Sequence, residues 1–526
     1  MATEARRQFL RIIPNYLRLG ATLLIGIFLT RLQMAWLGSD GFGLVALLGA
    51  AMGIGAIFQD LTRQSLIREL AAAHQDGGDA FLKAYNSSYV ICLGSAVIAA
   101  LAFGGLMLLT PLLEIPPDLA SPARWLIAGE GVALLTMILL APALNMYVVA
   151  ERFMAHNLFT TIRRANYLIA AALLFYALGF RDPIQGVKLY GVVPGALNTV
   201  LVLVFVGAYL IKDHRLIPRP RFVSMTVLRD VIGTFGWNSA VIVAVNLHER
   251  VAAFIMNLAF GLWGNTVFGL SLRLTSYVRM ATMGMTFGVD AVSARIAAEG
   301  DHDRMARLVQ HSTRLHALVA IPSAVAVFVL AEPALTLWVG RYLDDPNAYI
   351  PFAVTLVRIM MLGLTARAIS DGWMRILYGA GYVKRYAPMV LLGGVSNPVI
   401  AITLLAVLPD SIRYTAVGWG YTIVFVTVHL IALPILGARC TGLRRRDFVR
   451  PILRPAIAAI VASPALFLVS FGDHSDWRLL WLAGAALAYA SAVGLLTAAF
   501  VLTDAERRRL LRAIGFGRPQ DAQHAG

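Results

Sequence analysis

The residues most able to do chemistry in this 526-residue chain are charged side chains set inside long apolar runs. Arg31, Arg273, Arg279 and Arg358 have no acidic residue within four positions to pair with on their own helix. A charge at the centre of a bilayer costs about 2.5–3.5 kcal/mol or more, so such residues are functional candidates. An arginine facing lipid is not viable, so these four must face protein or a wet cavity. Their chemistry would be anion recognition, because the planar guanidinium fork makes two charge-assisted hydrogen bonds to one phosphate or carboxylate. At 1.5 Å rise per residue, Arg31 and Arg358 should lie roughly 10 Å inside the outer boundary and Arg273 about 15 Å in, with Arg279 deeper and on another face. The acids are fewer. Asp60 is three residues from Arg63 and Asp371 four from Arg367, spacings at which helical side chains neutralise each other. Glu130 has no local partner, and reads either as the counter-charge to one of the arginines or as a proton or sodium site. His429, alone in its apolar run, reads as a core histidine hydrogen-bonded across helices.

Other chemistries find little support. The chain has no Walker loop, HExxH, GxSxG or dinucleotide fingerprint. Asp301-His302-Asp303 forms a DxD, but in a short loop with no domain to hold a nucleotide sugar. Cys92 and Cys440 are far apart and read as inert thiols. The expectation is a non-enzyme with no metal and no cofactor.

The elements that must hold these charges are transmembrane helices. The composition is 59% hydrophobic and only 14% charged, with mean hydropathy +0.72, against roughly 25% charged residues in soluble domains. The apolar runs are continuous rather than alternating and reach about 20 residues, the length of a membrane-crossing helix. Fourteen are expected, at 14–37, 41–62, 84–111, 123–148, 158–180, 189–211, 228–249, 263–290, 310–331, 351–372, 386–408, 415–438, 451–472 and 478–502. The first is read as a retained span, since Arg6, Arg7 and Arg11 precede a run with no small-residue cleavage site. With both termini inside, the inner segments carry 32 Lys and Arg, the outer loops seven, and the spans six. That bias orients the protein with cytoplasmic ends. It also accounts for the net charge of +16 as topology and attraction to anionic lipids, with no nucleic-acid partner. The outer loops are short, Arg250 among them, and leave no room for a folded domain.

A pattern occurs twice. Gly38-Ser39-Asp40-Gly41-Phe42-Gly43-Leu44 recurs 226 positions later as Gly264-Asn265-Thr266-Val267-Phe268-Gly269-Leu270, with five identities over eleven ungapped positions. Six helices precede the second unit, so the two copies have the same orientation, the parallel-repeat arrangement of transporter folds. The expected architecture is all-α: one lobe over 1–215, a second over 216–440, and an added helix pair with a basic tail over 441–526. The copies differ in charge, for Arg273 falls opposite Leu47 and Arg279 opposite Gly53. Gly49/Gly53, Gly191/Gly195 and Gly284/Gly288 are GxxxG pairs that allow close helix contact.

Leu37-Gly38-Ser39-Asp40-Gly41-Phe42-Gly43, Trp237-Asn238, Gly269, Gly300-Asp301 and Gly379-Ala380-Gly381 together resemble polysaccharide flippases of the multidrug/oligosaccharidyl-lipid/polysaccharide exporter superfamily. The chain departs from that pattern at Phe268, where a Tyr is usual, and in lacking a proline around Asp290 to Arg295. The resemblance implies a two-lobed transporter in the bacterial inner membrane. It would move a polyprenyl-diphosphate-linked oligosaccharide outward for O-antigen or exopolysaccharide synthesis, alongside membrane lipids and the pathway's polymerase and glycosyltransferases. An ion-coupled multidrug exporter of the same superfamily is the first alternative; a membrane glycosyltransferase or polymerase is the second.

Overall fold

Lipid offers no hydrogen bonds to a bare backbone, and the chain responds with helices throughout. The computed structural model describes residues 2–234, 236–283, 288–472, 477–502 and 506–507, and among them there is no strand. Sixteen α-helices follow in order: α1 (Ala2–Asp76), α2 (Gly78–Leu109), α3 (Pro117–Leu139), α4 (Ala141–Val149), α5 (Phe153–Ala172), α6 (Pro183–Lys212), α7 (Met225–Thr234), α8 (Gly236–Met283), α9 (Val289–Glu299), α10 (His302–Val339), α11 (Pro346–Gly379), α12 (Val383–Val407), α13 (Ala416–Phe425), α14 (Leu433–Thr441), α15 (Arg445–Ala462) and α16 (Arg478–Leu496). Twelve helical segments of the described chain are long and apolar enough to cross a membrane. Two of them, α1 and α8, each hold two helices that meet at a glycine, so the fourteen expected helices are present.

Those two breaks are backbone events only glycine tolerates. Gly38 has φ 70°, ψ −177° and Gly261 has φ 62°, ψ −154°, a region that Cβ-bearing residues avoid. The sequence repeat had pointed to Gly264 as the counterpart of Gly38, but the chain turns three residues earlier. Gly264 is helical and lies close against Met256 and Phe260. Each break is stitched by side chains. Ser39 N–H donates to Asp344 Oδ2 (3.2 Å) and Asp344 N–H to Ser39 Oγ (3.4 Å). At Gly261, Asn257 Oδ1 accepts from Glu114 N–H (3.0 Å), and Asn257 Nδ2 donates to Asn265 Oδ1 (3.0 Å). Asn265 Nδ2 in turn reaches Ala253 O (2.8 Å).

The described chain forms two compact units. The first comprises residues 1–277, 338–360 and 383–424, the second 278–337, 361–382 and 425–526, with α8, α10 and α11 contributing to both. In the first unit, the limbs of α1 and α8 that follow their breaks cross with almost no side chain between them. A Cβ on Gly43 would stand 2.5 Å from Leu262 O and Thr266 Oγ1; one on Gly269 would stand 2.9 Å from Ala46 Cβ and 3.3 Å from the Phe42 ring. Gly43 and Gly269 are equivalent positions of the repeat. Thr266 Oγ1 donates to Ser39 O (2.7 Å) at the same crossing. Helices α3 and α6 likewise meet backbone to backbone through Gly129, Gly191 and Gly195. Around these contacts lies a core containing Trp36, Leu44, Leu47, Ile127 and Val187.

In the second unit, Leu330, Leu466, Tyr489 and Val493 form a core, and Trp373 Nε1 donates to Thr313 Oγ1 (2.6 Å). Large apolar side chains such as Leu101, Leu108, Val204, Leu392, Ile460 and Leu487 point outward, where hydrocarbon rather than water would receive them. Overpacking a close contact typically costs 1–3 kcal/mol, so Gly269→Val is expected to lower stability by about 2 kcal/mol. Thermal unfolding of the purified protein in detergent checks this against Gly104→Val, a position with open space around its Cα.

Candidate functional site

The helices that meet below these two breaks enclose a cavity of about 690 Å³ in the first unit, lined by α1, α3, α5, α6 and α8. Its charged lining is four arginines and one glutamate: Arg163 and Arg164 on α5, Arg250 and Arg273 on α8, and Glu130 on α3. Arg250 stands eleven residues before Gly261 and Arg273 twelve after it. At 1.5 Å per residue both lie about 17 Å from the break, on opposite limbs of the same helix. The break therefore brings two cations to one depth.

Three of the four guanidinium groups have contacts that hold them. Arg250 Nε donates to Asn246 Oδ1 (3.0 Å), one turn earlier, and Nη1 to Ala50 O (3.2 Å). Its head occupies the space a Cβ would fill at Gly53. Arg273 Nη1 donates to Thr30 Oγ1 (2.5 Å), and its guanidinium carbon lies 4.6 Å from the centre of the Phe42 ring, cation–π range. Arg163 contacts Met137 Sδ (3.1 Å). On the opposite polarity, Tyr167 Oη donates to Glu130 Oε2 (2.5 Å). Glu130 follows Gly129, so the backbone contact of α3 with α6 positions this carboxylate. Beside it, Gln33 Nε2 donates to Tyr190 Oη (2.5 Å), while Gln33 Oε1 is buried without a hydrogen-bond partner.

Of the residues singled out in the sequence, the cavity gathers Arg273 and Glu130. Arg31, on the first limb of α1, instead meets Tyr342: Nη2 lies 3.4 Å from its hydroxyl and the guanidinium 5.5 Å from its ring centre. Arg358 is half-buried on α11 and outside the cavity lining. Arg279 lies in the second unit, its carbonyl accepting from Thr282 Oγ1 (2.9 Å). Asp371 is also in the second unit and pairs with Arg367 (3.6 Å), the local ion pair its spacing predicts. The Asp60 side chain lies outside the described residues, as does Gly284. His429 is buried, with Nδ1 2.6 Å from Ser370 Oγ, a cross-helix hydrogen bond as expected. Cys92 and Cys440 are free and buried.

Three cavity arginines were not recognised from sequence. In sequence Glu249-Arg250 ends an apolar run and reads as the start of an outer loop, whereas α8 continues helically to Gly261. The available signal was Asn246, one turn back, able to hold a guanidinium. Arg163 and Arg164 lie near the inner end of the span expected over 158–180, where adjacent cations read as part of the inner positive charge. Among the described residues no cluster of His, Cys, Asp or Glu could hold a metal.

An intact Glu130–Tyr167 pair predicts a stability test. Removing the only hydroxyl bonded to a half-buried carboxylate costs about 1–3 kcal/mol, so Tyr167→Phe is expected to melt several degrees below wild type. Equal melting temperatures for the two proteins would show that the bond is not formed.

Residues 242–403 match the MatE family. The chain is 21% identical over 507 residues to the "uncharacterized membrane protein EpsK" of Bacillus subtilis (strain 168), covering 93% of this chain and 95% of that one. Its fold is similar to that of the lipid II flippase MurJ in an inward closed conformation (TM-score 0.66, 13% identity, 94% of this chain and all of that one). It is equally similar to an inward-facing multidrug resistance MATE transporter (TM-score 0.66, 14% identity, 80% of this chain and 94% of that one).

Proposed function

We propose that the chain is a member of the multidrug/oligosaccharidyl-lipid/polysaccharide exporter superfamily, a reading supported by the MatE match over residues 242–403 and by the shared fold, and that it flips a polyprenyl-diphosphate-linked oligosaccharide from the cytoplasmic to the outer leaflet. The observation that carries this reading is the cavity's charge, four arginines against one glutamate. A diphosphate diester carries two negative charges and matches paired guanidinium forks. Arg250 and Arg273, level on the two limbs of α8, are the principal ligands in this proposal, with Arg163 and Arg164 completing the cationic wall. The lipid tail stays in the bilayer while the glycan head enters the cavity. Two six-helix lobes, 1–215 and 216–440, rock about the substrate to expose it on the other side.

The protein would work in the bacterial inner membrane with both termini in the cytoplasm, the orientation favoured by the excess of basic residues in the inner segments over the outer loops. In that orientation an inside-negative potential assists outward movement of an anion by about 2.3 kcal/mol per charge per 100 mV. The glycosyltransferases that build the lipid-linked unit and the polymerase that consumes it would be its pathway partners. A multidrug exporter is the second reading. It would draw on Glu130 as the site for a cationic drug, and the surplus of arginine around that carboxylate weighs against it.

The test is complementation of a strain that lacks its own flippase and depends on this protein for surface polysaccharide. Arg250→Ala combined with Arg273→Ala should reduce surface polysaccharide to background while the protein remains in the membrane at normal abundance. Arg31→Ala, whose side chain contacts Tyr342 instead of the cavity, should leave export close to normal. Normal export by the double variant would sink the assignment. Drug resistance that depends on Glu130, without any effect on polysaccharide, would favour the exporter reading.

A further inference from the structure

Arg31, which the cavity leaves out, belongs to a second cluster of the first unit. Arg31 and Arg341, more than three hundred positions apart, meet at one oxygen. Arg31 Nη2 lies 3.4 Å from Tyr342 Oη, and Arg341 Nη2 donates to the same hydroxyl. The two guanidinium carbons stand 5.5 and 4.5 Å from the Tyr342 ring centre. The turn Gly340–Tyr342 that brings them together is fixed to α1 on either side of Arg31. Trp338 Nε1 donates to Ile27 O (2.9 Å), one turn earlier, and Ser39 N–H donates to Asp344 Oδ2 (3.2 Å) beyond it. Elsewhere arginines find acids: Arg304 pairs with Glu299, Arg367 with Asp371 and Arg413 with Asp410. Neither Arg31 nor Arg341 forms an ion pair among the described residues. The acids that follow in the loop are engaged away from them, Asp344 by Ser39 and Asp345 by Asn347 N–H, which donates to its Oδ1 (3.0 Å).

Two cations thus share one neutral oxygen. A guanidinium has no acceptor, so the phenol proton can be given to neither arginine. The cluster presents N–H and O–H donors with that single oxygen between them. Arg341 is exposed, and Arg31 and Tyr342 are half-buried, so the donors are within reach of a ligand. We propose that Arg31, Arg341 and Tyr342 form a phosphate-binding site, separate from the cavity and independent of its substrate. A phosphate accepts from both guanidinium forks and from the phenol at once, and its charge offsets the repulsion between the arginines. The carrier that the surroundings favour is a membrane phospholipid. Leu24 and Phe28 are each 55% exposed, and they stand seven and three residues before Arg31, on the same side of α1. Arg31 itself is seven residues before the break at Gly38, about 10 Å along the helix. A headgroup phosphate on the arginines would lay an acyl chain back over Phe28 and Leu24, toward the middle of the span. In the orientation proposed above, this is a lipid of the outer leaflet.

The test uses the purified full-length protein in dodecyl maltoside and three probes: phosphatidylglycerol, a galactosyl diacylglycerol that lacks phosphate, and inorganic phosphate. Lipid binding is read by native mass spectrometry, and stabilisation by all three from thermal unfolding. Other basic surfaces also hold anionic lipid, so the reading is the difference between wild type and Arg31→Ala combined with Arg341→Ala. The tightest phosphatidylglycerol should bind the double variant about tenfold more weakly, the size expected when charged hydrogen bonds are lost. Tyr342→Phe, which keeps both arginines and the ring, should weaken it about threefold. Arg445→Ala combined with Arg446→Ala, exposed arginines of α15, should leave that tightest lipid in place. The galactolipid should bind wild type and the first double variant alike, an equality that general loosening of the fold would not give. If the galactolipid is lost together with phosphatidylglycerol, the site reads acyl chain rather than phosphate and the inference is overturned. If inorganic phosphate stabilises wild type but not the double variant, while phosphatidylglycerol binds both equally, the phosphate site stands and its lipid carrier falls. Equal responses of wild type and double variant to all three probes overturn the inference, and none of these outcomes touches the flippase reading.

Discussion

The first unit depends on one close crossing, where the limb of α1 after Gly38 meets the limb of α8 after Gly261. Gly43 and Gly269 make it possible by presenting backbone in place of side chains, and Thr266 bonds Ser39 across it. In lipid there is little hydrophobic gain from bringing two helices together, so close packing and interhelical hydrogen bonds must hold them. Glycine contributes by letting the backbones approach. Once the crossing is set, the faces of both helices one to three turns further on are turned toward the same space. Arg273 and Gly53 line the cavity for that reason.

The same device recurs where the cavity's acid is placed. Gly129, Gly191 and Gly195 bring α3 and α6 into backbone contact, and Glu130 follows directly on Gly129. A carboxylate that must remain in a cavity lined by arginines needs a fixed position and a donor; the helix contact supplies the first and Tyr167 the second. The cavity thus sets cationic side chains on α5 and α8 against one carboxylate held on α3. The duplication produced two similar helix pairs, but the charge at Arg273 has no equivalent at Leu47, and Gly53 in the first copy is the space into which Arg250 of α8 fits.

Much of this protein was legible along the chain. Fourteen helices, the repeat and the abundance of intramembrane arginine follow from hydropathy and spacing. Individual residues were less legible. Arg273 was recognised because it interrupts an otherwise apolar run. Arg250 was not, because it adjoins Glu249 at the end of such a run and two adjacent charges read as a loop. The helix continues for another eleven residues to Gly261, and the bonds that hold Arg250 come from Asn246 and from Ala50 on a distant segment. Arg31 shows the converse. Its isolation in sequence is the same as that of Arg273, yet Tyr342, more than three hundred residues later, takes its charge.

By itself the sequence determined an all-helical chain that crosses the membrane many times, an internal repeat and a surplus of cations within the spans. These are properties of segments: each helix forms because its own residues are apolar and its own backbone must be satisfied, whatever its neighbours do. Only the tertiary structure decided which cations converge, that Gly261 rather than Gly264 carries the break, and that Arg31 and Arg341 meet at Tyr342. Convergence depends on the rotation of each helix about its axis, and that rotation is set by contacts such as Gly43 with Thr266, between residues far apart in the chain. Hydropathy records only that a helix is buried in lipid. The direction its charged side chain faces is fixed when the helices pack.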